Sequence, residues 1–264
     1  MQKKLYKYKI IDVFKDKRIT TVASSWVYYF LTALLPLVFL LVSAFSLFNV
    51  NLMQEIVFRL PEEFRLAGET IFLTAQNAGS GATIFFVFSV VFSGSTLFNQ
   101  MSKDGDYLYG ENSNKRYGIF RRVFSILALC VLFLIFLSSA FLFTFQNLII
   151  QNLHLGDSES RVLYILGCFL VVSISYFVIV LLNKFISPVK RNFFDLAVGS
   201  LVSLFIIILG TLGFTVYLRL FSNFNAFYGS LVGIIVFLIW AYIVMLGLVI
   251  GTAFNVKRYK NTLV

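Results

Sequence analysis

Charge is what this sequence has least of. Only 13% of its 264 residues are Asp, Glu, Lys or Arg, whereas a soluble domain carries about a quarter. Histidine occurs once, at His154, so a histidine-based metal cluster is excluded by count. Cysteine occurs twice. Cys130 and Cys168 both lie in apolar runs, with no partner at motif spacing, and read as small buried hydrophobes. H-E-x-x-H, G-x-S-x-G, P-loop and dinucleotide-binding signatures are missing too. Asp104 and Asp106 flank Gly105 among lysines without a third ligand, and a two-metal nuclease needs several convergent carboxylates. The expectation is a protein that is not an enzyme and holds neither cofactor nor metal.

Apolar side chains fill the space that charge leaves. They make up 59% of the chain, with 32 Phe and 13 Tyr, too much for one globular core to hide. The solvent for most of them must itself be apolar. In hydrocarbon every backbone N–H and C=O has to be satisfied within the protein, so spans are helices or closed barrels. A barrel would alternate over strands of about ten residues. Long unbroken apolar runs replace that alternation here. The predicted fold is therefore all-α, a polytopic membrane protein of about six transmembrane helices.

Charge-free gaps place the spans. No charge occurs between Arg18 and Glu55, Glu69 and Lys103, Arg122 and Asp157, Arg161 and Lys184, Asp195 and Arg219, or Arg219 and Lys257. Each gap exceeds the roughly 20 residues that cross about 30 Å of hydrocarbon. Spans are predicted at 21–48, 82–100, 121–148, 162–183, 195–219 and 228–256, in one domain covering 1–264. The first is too long for a signal peptide and is expected to be retained. Residues 1–18 form a basic N-terminal segment and 257–264 a basic tail.

Lys and Arg then give an orientation. Eighteen of the 22 fall in the N-terminal segment, the second and fourth loops and the tail; four fall in the opposite loops. An alternating split of this kind needs an even number of spans. It puts both termini in the cytoplasm. It also accounts for the net charge of +10 without nucleic acid, because basic loops meet anionic lipid headgroups.

The external segment 49–81 reads as an amphipathic helix at the interface. Pro61 opens it, Glu62 and Glu63 occupy its first turn, and Phe64, Ala67, Ile71, Ala75 and Ala78 recur at helical spacing. Within the spans, polar residues fall in stripes. The first span carries Thr21, Ser25, Tyr28, Thr32 and Pro36, with Tyr29 beside them, and Pro36 should kink it. The second carries Ser89, Ser93, Thr96 and Gln100, with Asn99 adjacent. The fifth carries Ser200, Ser203, Ile207, Thr211, Thr215 and Arg219. Such stripes either line one polar cavity or serve helix packing. The last span holds Gly229-x-x-x-Gly233 and Gly247-x-x-x-Gly251. They are about five helical turns apart on one face, where a helix of the same chain or of a second copy can approach. Asp195 suits a first helical turn. Arg219, with Asn225 and Tyr228 nearby, suits the outer interface and an anionic headgroup.

Several stretches resemble the YihY/BrkB family of bacterial inner-membrane proteins. They are Asp16 to Pro36 with its Tyr28-Tyr29 pair, Phe98-Asn99 to Gly110, Asn183 to Pro188, Asp195 to Gly199, and Asn225 to Leu231 with Trp240-Ala-Tyr242 and Gly251 to Asn255. The likeness covers nearly the whole chain. One position departs: the family often ends its last helix in Gly-Ala-Glu-x-Asn, and here Ala253 stands at the Glu position. The resemblance implies a six-helix bundle in the bacterial plasma membrane. The old "ribonuclease BN" label of that family is regarded as a misassignment, in keeping with the missing nuclease site.

The leading functional expectation is a transporter or flippase for a lipid-linked or amphiphilic substrate, with no ATP site. Its expected pathway residues are Tyr28, Tyr29, Pro36, Asn99, Gln100, Asp195, Arg219, Asn225 and Tyr228. The alternative is a non-catalytic envelope scaffold that self-associates through Gly229, Gly233, Gly247 and Gly251 of the last helix. Expected partners are membrane lipids, such a substrate and a second copy of the chain, and no nucleic acid.

Overall fold

The computed structural model describes residues 18–47, 69, 73, 80–111, 157–220 and 231–262. They form five long helices: α1 (Ile19–Leu47), α2 (Ser80–Tyr109), α3 (Asp157–Ile186), α4 (Phe193–Leu220) and α5 (Leu231–Thr262). All five are long and apolar enough to cross a membrane, and no strand occurs among the described residues. The chain is an all-helical, multi-pass membrane protein. The span predicted at 121–148 and nearly all of segment 49–81 lie outside the described residues, as do Cys130 and His154.

Helix lengths of 28 to 32 residues correspond to about 42–48 Å. That exceeds the roughly 30 Å hydrocarbon core, so the ends emerge among headgroups. α2 shows the consequence. The sequence predicts its end at residue 100, where charges begin, yet the helix runs on to Tyr109. Its stop signal is Gly110, which takes φ 71°. The Glu111 N–H reaches the Asp106 carbonyl at 3.2 Å and the Gly110 N–H that of Tyr107 at 3.3 Å, a Schellman cap that favours glycine. At the other turn, Asn192 precedes α4 and its carbonyl accepts from Asp195 N–H at 3.2 Å. Asp195 lies in that first turn, where the helix dipole favours an acid. α1 continues as helix through Pro36.

Antiparallel neighbours organise the bundle. Trp26 near the start of α1 meets Asp104 near the end of α2, and Phe39 stacks on Phe86 toward their other ends. α4 and α5 also run antiparallel, with Gly199 facing Gly251 and Asn255, and Gly210 facing Ile243. A Cβ on Gly251 would collide with the Ser203 hydroxyl and the Gly199 carbonyl. The two backbones thus touch, as small residues allow in lipid. α3 packs on α4 and its C-terminus meets Gly105 of α2. The start of α1, the ends of α2, α3 and α5 and the start of α4 therefore share one end of the bundle. Arg18, Lys103, Lys184, Lys190, Arg191 and Lys257 gather there, so the alternation of charge along the sequence becomes one basic end in space.

The largest exposed side chains are apolar. Phe88, Phe169, Phe194 and Phe205 are each more than 60% exposed, a surface that only a bilayer can solvate. Cys168 shares this outer surface of α3, where the sequence reading expects burial. Composition identifies an apolar residue but not which face of a membrane helix carries it.

Replacing Gly251 by Leu should lower unfolding free energy by roughly 1–3 kcal/mol through overpacking. Gly213→Ala, where a Cβ meets nothing within 4 Å, should be neutral or slightly stabilising. Thermal unfolding in mild detergent checks both. Equal behaviour of the two variants would contradict the close contact of α4 with α5.

Candidate functional site

Polar side chains concentrate at the basic end in three assemblies. The first joins α3, α4 and α5. Asn183 is buried, and its Nδ2 donates to the Ile179 carbonyl (3.1 Å) and to Ser200 Oγ (3.0 Å). Its Oδ1 lies 2.9 Å from Thr252 Oγ1, which is equally close to the Leu248 carbonyl. Ser200 Oγ in turn donates to the Leu196 carbonyl at 2.9 Å. Asn255 accepts from Gly199 N–H at 3.1 Å and donates to the Leu196 carbonyl at 3.3 Å. Every amide atom of both asparagines is therefore used. A satisfied neutral network rigidifies a bundle and offers nothing to a ligand.

The second assembly forms a rim. Arg191 donates to the Asn255 carbonyl at 3.2 Å and lies 3.9 Å from the Asp195 carboxylate. Its guanidinium carbon stands 5.4 Å from the centre of the Tyr259 ring. Tyr259 packs against Tyr109 at 5.8 Å and donates to Glu111 at 3.2 Å. The rim ties the end of α2, the turn before α4 and the end of α5 together.

The third assembly joins α1 to α2. The fully buried Trp26 donates from Nε1 to Asp104 Oδ2 at 2.8 Å. Gln100 Nε2 donates to Asp104 Oδ1 at 3.0 Å. Both oxygens of the carboxyl group thus receive neutral donors.

The residues expected to form a pathway fall into separate places. Gln100 and Asp195 join the basic-end assemblies. Tyr28 is 63% exposed and points away from the bundle, while Tyr29 packs edge-on to it at 5.2 Å and against the core. Asn99 and Pro36 are half-buried. Arg219 belongs to the last turn of α4, at the opposite end from Asp195; its side chain, with Asn225, Tyr228 and Gly229, lies outside the described residues. So do the surroundings of Gly233.

The polar stripes divide in the same way. Thr21, Tyr28 and Thr32 of α1 face outward, whereas Ser200 and Ser203 of α4 are buried against their neighbours. Thr32, Thr96 and Thr215 donate to carbonyls of their own helices at 2.8 Å, the local bonding open to Thr in membrane helices. Gly247 and Gly251 face Ile207 and Ser203 of α4 in the same chain.

Motif spacing and composition do not single out Asn183, Arg191, Thr252, Asn255, Trp26 or Asp104 as site residues. A signal for some of them existed. Gly247, Gly251 and Asn255 recur at steps of four on α5, as Gly199 and Ser203 do on α4, which marks two facing ridges of small residues.

The family model described as "Virulence factor BrkB" matches residues 10–262. The chain belongs to the BrkB family. The match spans all five described helices and the stretches that resemble it. No curated protein and no solved structure matches the chain. Ala253 is fully buried in the core. A methyl group there leaves no charge to satisfy between the asparagine network and the rim.

Asn183 and Thr252 should be energetically coupled. In a double-mutant cycle with Asn183→Ala and Thr252→Ala, each single change should cost about 1–3 kcal/mol. The pair should cost less than the sum by roughly 0.5 kcal/mol or more. Thermal unfolding measures it; strict additivity would argue against the bond.

Proposed function

We propose that this BrkB-family protein is a transporter or flippase of the bacterial plasma membrane that moves a lipid-linked or amphiphilic substrate without altering it. The observation that carries this reading is the outward polar stripe of α1. Ile19, Val22, Ala23, Trp26 and Ala33 turn one side of that helix into the core. Thr21, Ser24, Tyr28 and Thr32 line the other. Ser24 and Thr32 donate to backbone carbonyls of α1, so their hydroxyl oxygens keep lone pairs for donors beyond the helix.

An amphiphile crossing a bilayer faces its barrier at the headgroup. Moving an unpaired hydroxyl or amide into hydrocarbon costs several kcal/mol. A polar stripe open to lipid lowers that cost at successive turns while the tail stays in hydrocarbon. With no ATP-binding motif in the sequence, transport is passive or ion-driven. The basic end supports a cytoplasmic location for both termini under the positive-inside rule. The scaffold reading through α5 draws less support, because Gly247 and Gly251 already face α4.

In liposomes containing a tail-labelled fluorescent lipid, the protein should accelerate transbilayer movement over protein-free vesicles. Tyr28→Ala combined with Thr32→Val should slow it roughly tenfold, about 1.4 kcal/mol of barrier, without changing the unfolding temperature, since both side chains are exposed. No acceleration by wild type would remove the transport reading. An unchanged rate in the variant would remove α1 as the path.

Orientation has its own test. In a Cys130→Ser, Cys168→Ser background, Asn261→Cys should react with a membrane-impermeant maleimide only after permeabilisation. Labelling in intact cells would reverse the topology.

A further inference from the structure

Leu97, Met101, Asp104 and Leu108 recur at steps of 4, 3 and 4 along α2, on one helical face. Leu97, Met101 and Leu108 are buried in the main apolar core. A carboxyl group therefore interrupts a core seam, opposite the fully buried indole of Trp26. A carboxyl group removed from water in such a place is costly unless its oxygens are bonded. Asp195, another acid of this end, faces Arg191 at 3.9 Å. Asp104 is held instead by two neutral donors, Trp26 and Gln100.

These two donors differ in what they allow. An indole N–H can only donate. A proton on Oδ2 would set two donors against each other and break the contact between α1 and α2. A carboxamide can turn over and present its oxygen. A proton on Oδ1 would then be donated to Gln100 Oε1, with the Trp26 bond to Oδ2 kept. Both protonation states can thus be satisfied on this scaffold without moving a helix.

We propose that Asp104 and Gln100 form a proton-binding site, with Trp26 as its fixed anchor. The proton comes from water at the basic end and rests between Asp104 Oδ1 and Gln100 Oε1. The titratable and charged groups around this end are Lys103, Asp106, Tyr107, Tyr109 and Glu111 on α2 and its cap. The elements packed against α2 add Arg18 of α1, Lys184 of α3, and Lys257, Arg258, Tyr259 and Lys260 of α5, with Lys190, Arg191 and Asp195 at the turn into α4. Lys103 is the chain neighbour of Asp104 and is exposed. Use of the site to drive transport rests on the transport reading above; proton binding itself does not.

Two tryptophans occur in the chain, Trp26 and Trp240. The Trp240→Phe protein in lipid nanodiscs therefore reports from Trp26 alone. Its emission should change in one step as the pH is lowered from the alkaline to the acid side. Adding Asp104→Asn should abolish the step and hold the emission at its acid limit, because the carboxamide offers one acceptor and one donor as the protonated acid does. Infrared spectra of otherwise wild-type protein provide a second readout that does not depend on Trp240→Phe. With the Asp104→Asn spectrum subtracted to remove the other eleven Asp and Glu carboxyl groups, a protonated-carboxyl band of one group should remain at the acid side. A step that persists in Asp104→Asn overturns the proposal, as does a flat titration with no such band. Neither sample contains substrate. A titrating Trp26 in a protein that fails to transport would support the proton site and remove the transport reading alone.

Discussion

The contact of α4 with α5 backbone is the constraint on which the rest of the bundle depends. In lipid, apolar side chains gain little by leaving hydrocarbon for one another, so helices associate through close packing and polar bonds. Gly199 and Gly251 bring the two backbones together at the basic end. That approach places the Asn255 carboxamide against the Gly199 N–H and the Leu196 carbonyl. Thr252 is then within reach of Asn183 on α3. Arg191 can close the rim on the Asn255 carbonyl and the Tyr259 ring. A side chain larger than hydrogen at Gly251 would separate the helices that all of these bonds span.

The α1–α2 pair is held by different chemistry at the same end. The buried network of α3, α4 and α5 uses neutral amides and hydroxyls, whose bonding does not change with protonation, and the Arg191–Asp195 pair lies outside it at the rim. The α1–α2 pair uses a carboxyl group between an indole and a carboxamide. Toward the other end the pair relies on aromatic packing such as Phe39 on Phe86. One half of the bundle is therefore a fixed frame, and the other carries an ionisable group beside a helix with an outward polar stripe. A division of this kind suits transport, in which one part of a protein responds to an ion or substrate while another keeps its shape.

Part of the candidate site was legible in the residues and part was not. The stripe on α1 was readable because steps of three and four define a helical face. Its outward direction was not, since Thr and Tyr tolerate either lipid or protein contact. Ser200 and Ser203 had the same spacing and turned inward. By sequence Asp104 is one of two acids in a basic loop, because the first charges after the apolar run mark the end of the second span near residue 100. The Schellman cap at Gly110 carries α2 beyond that point, and the extra turns put Asp104 on the core seam. The apolar surroundings of Cys168 in the sequence predict burial, yet it lies exposed on α3.

The amino-acid sequence by itself determined the solvent, the class of fold and the positions of most spans. Hydrocarbon forces backbone bonds to close within each helix, so long apolar runs suffice to specify all-α membrane crossing. It also determined that basic residues alternate between loops, which a bundle of antiparallel helices converts into one basic end. Only the tertiary structure decided which helix faces meet. Ser, Thr, Asn and Gly have similar meaning at every position in a membrane helix until a neighbour approaches. Partner distance separates the buried Asn183–Thr252 bond from the outward Thr21 and Thr32. The same holds for Asp104, whose character follows from an indole 78 residues away in the chain and 2.8 Å away in space.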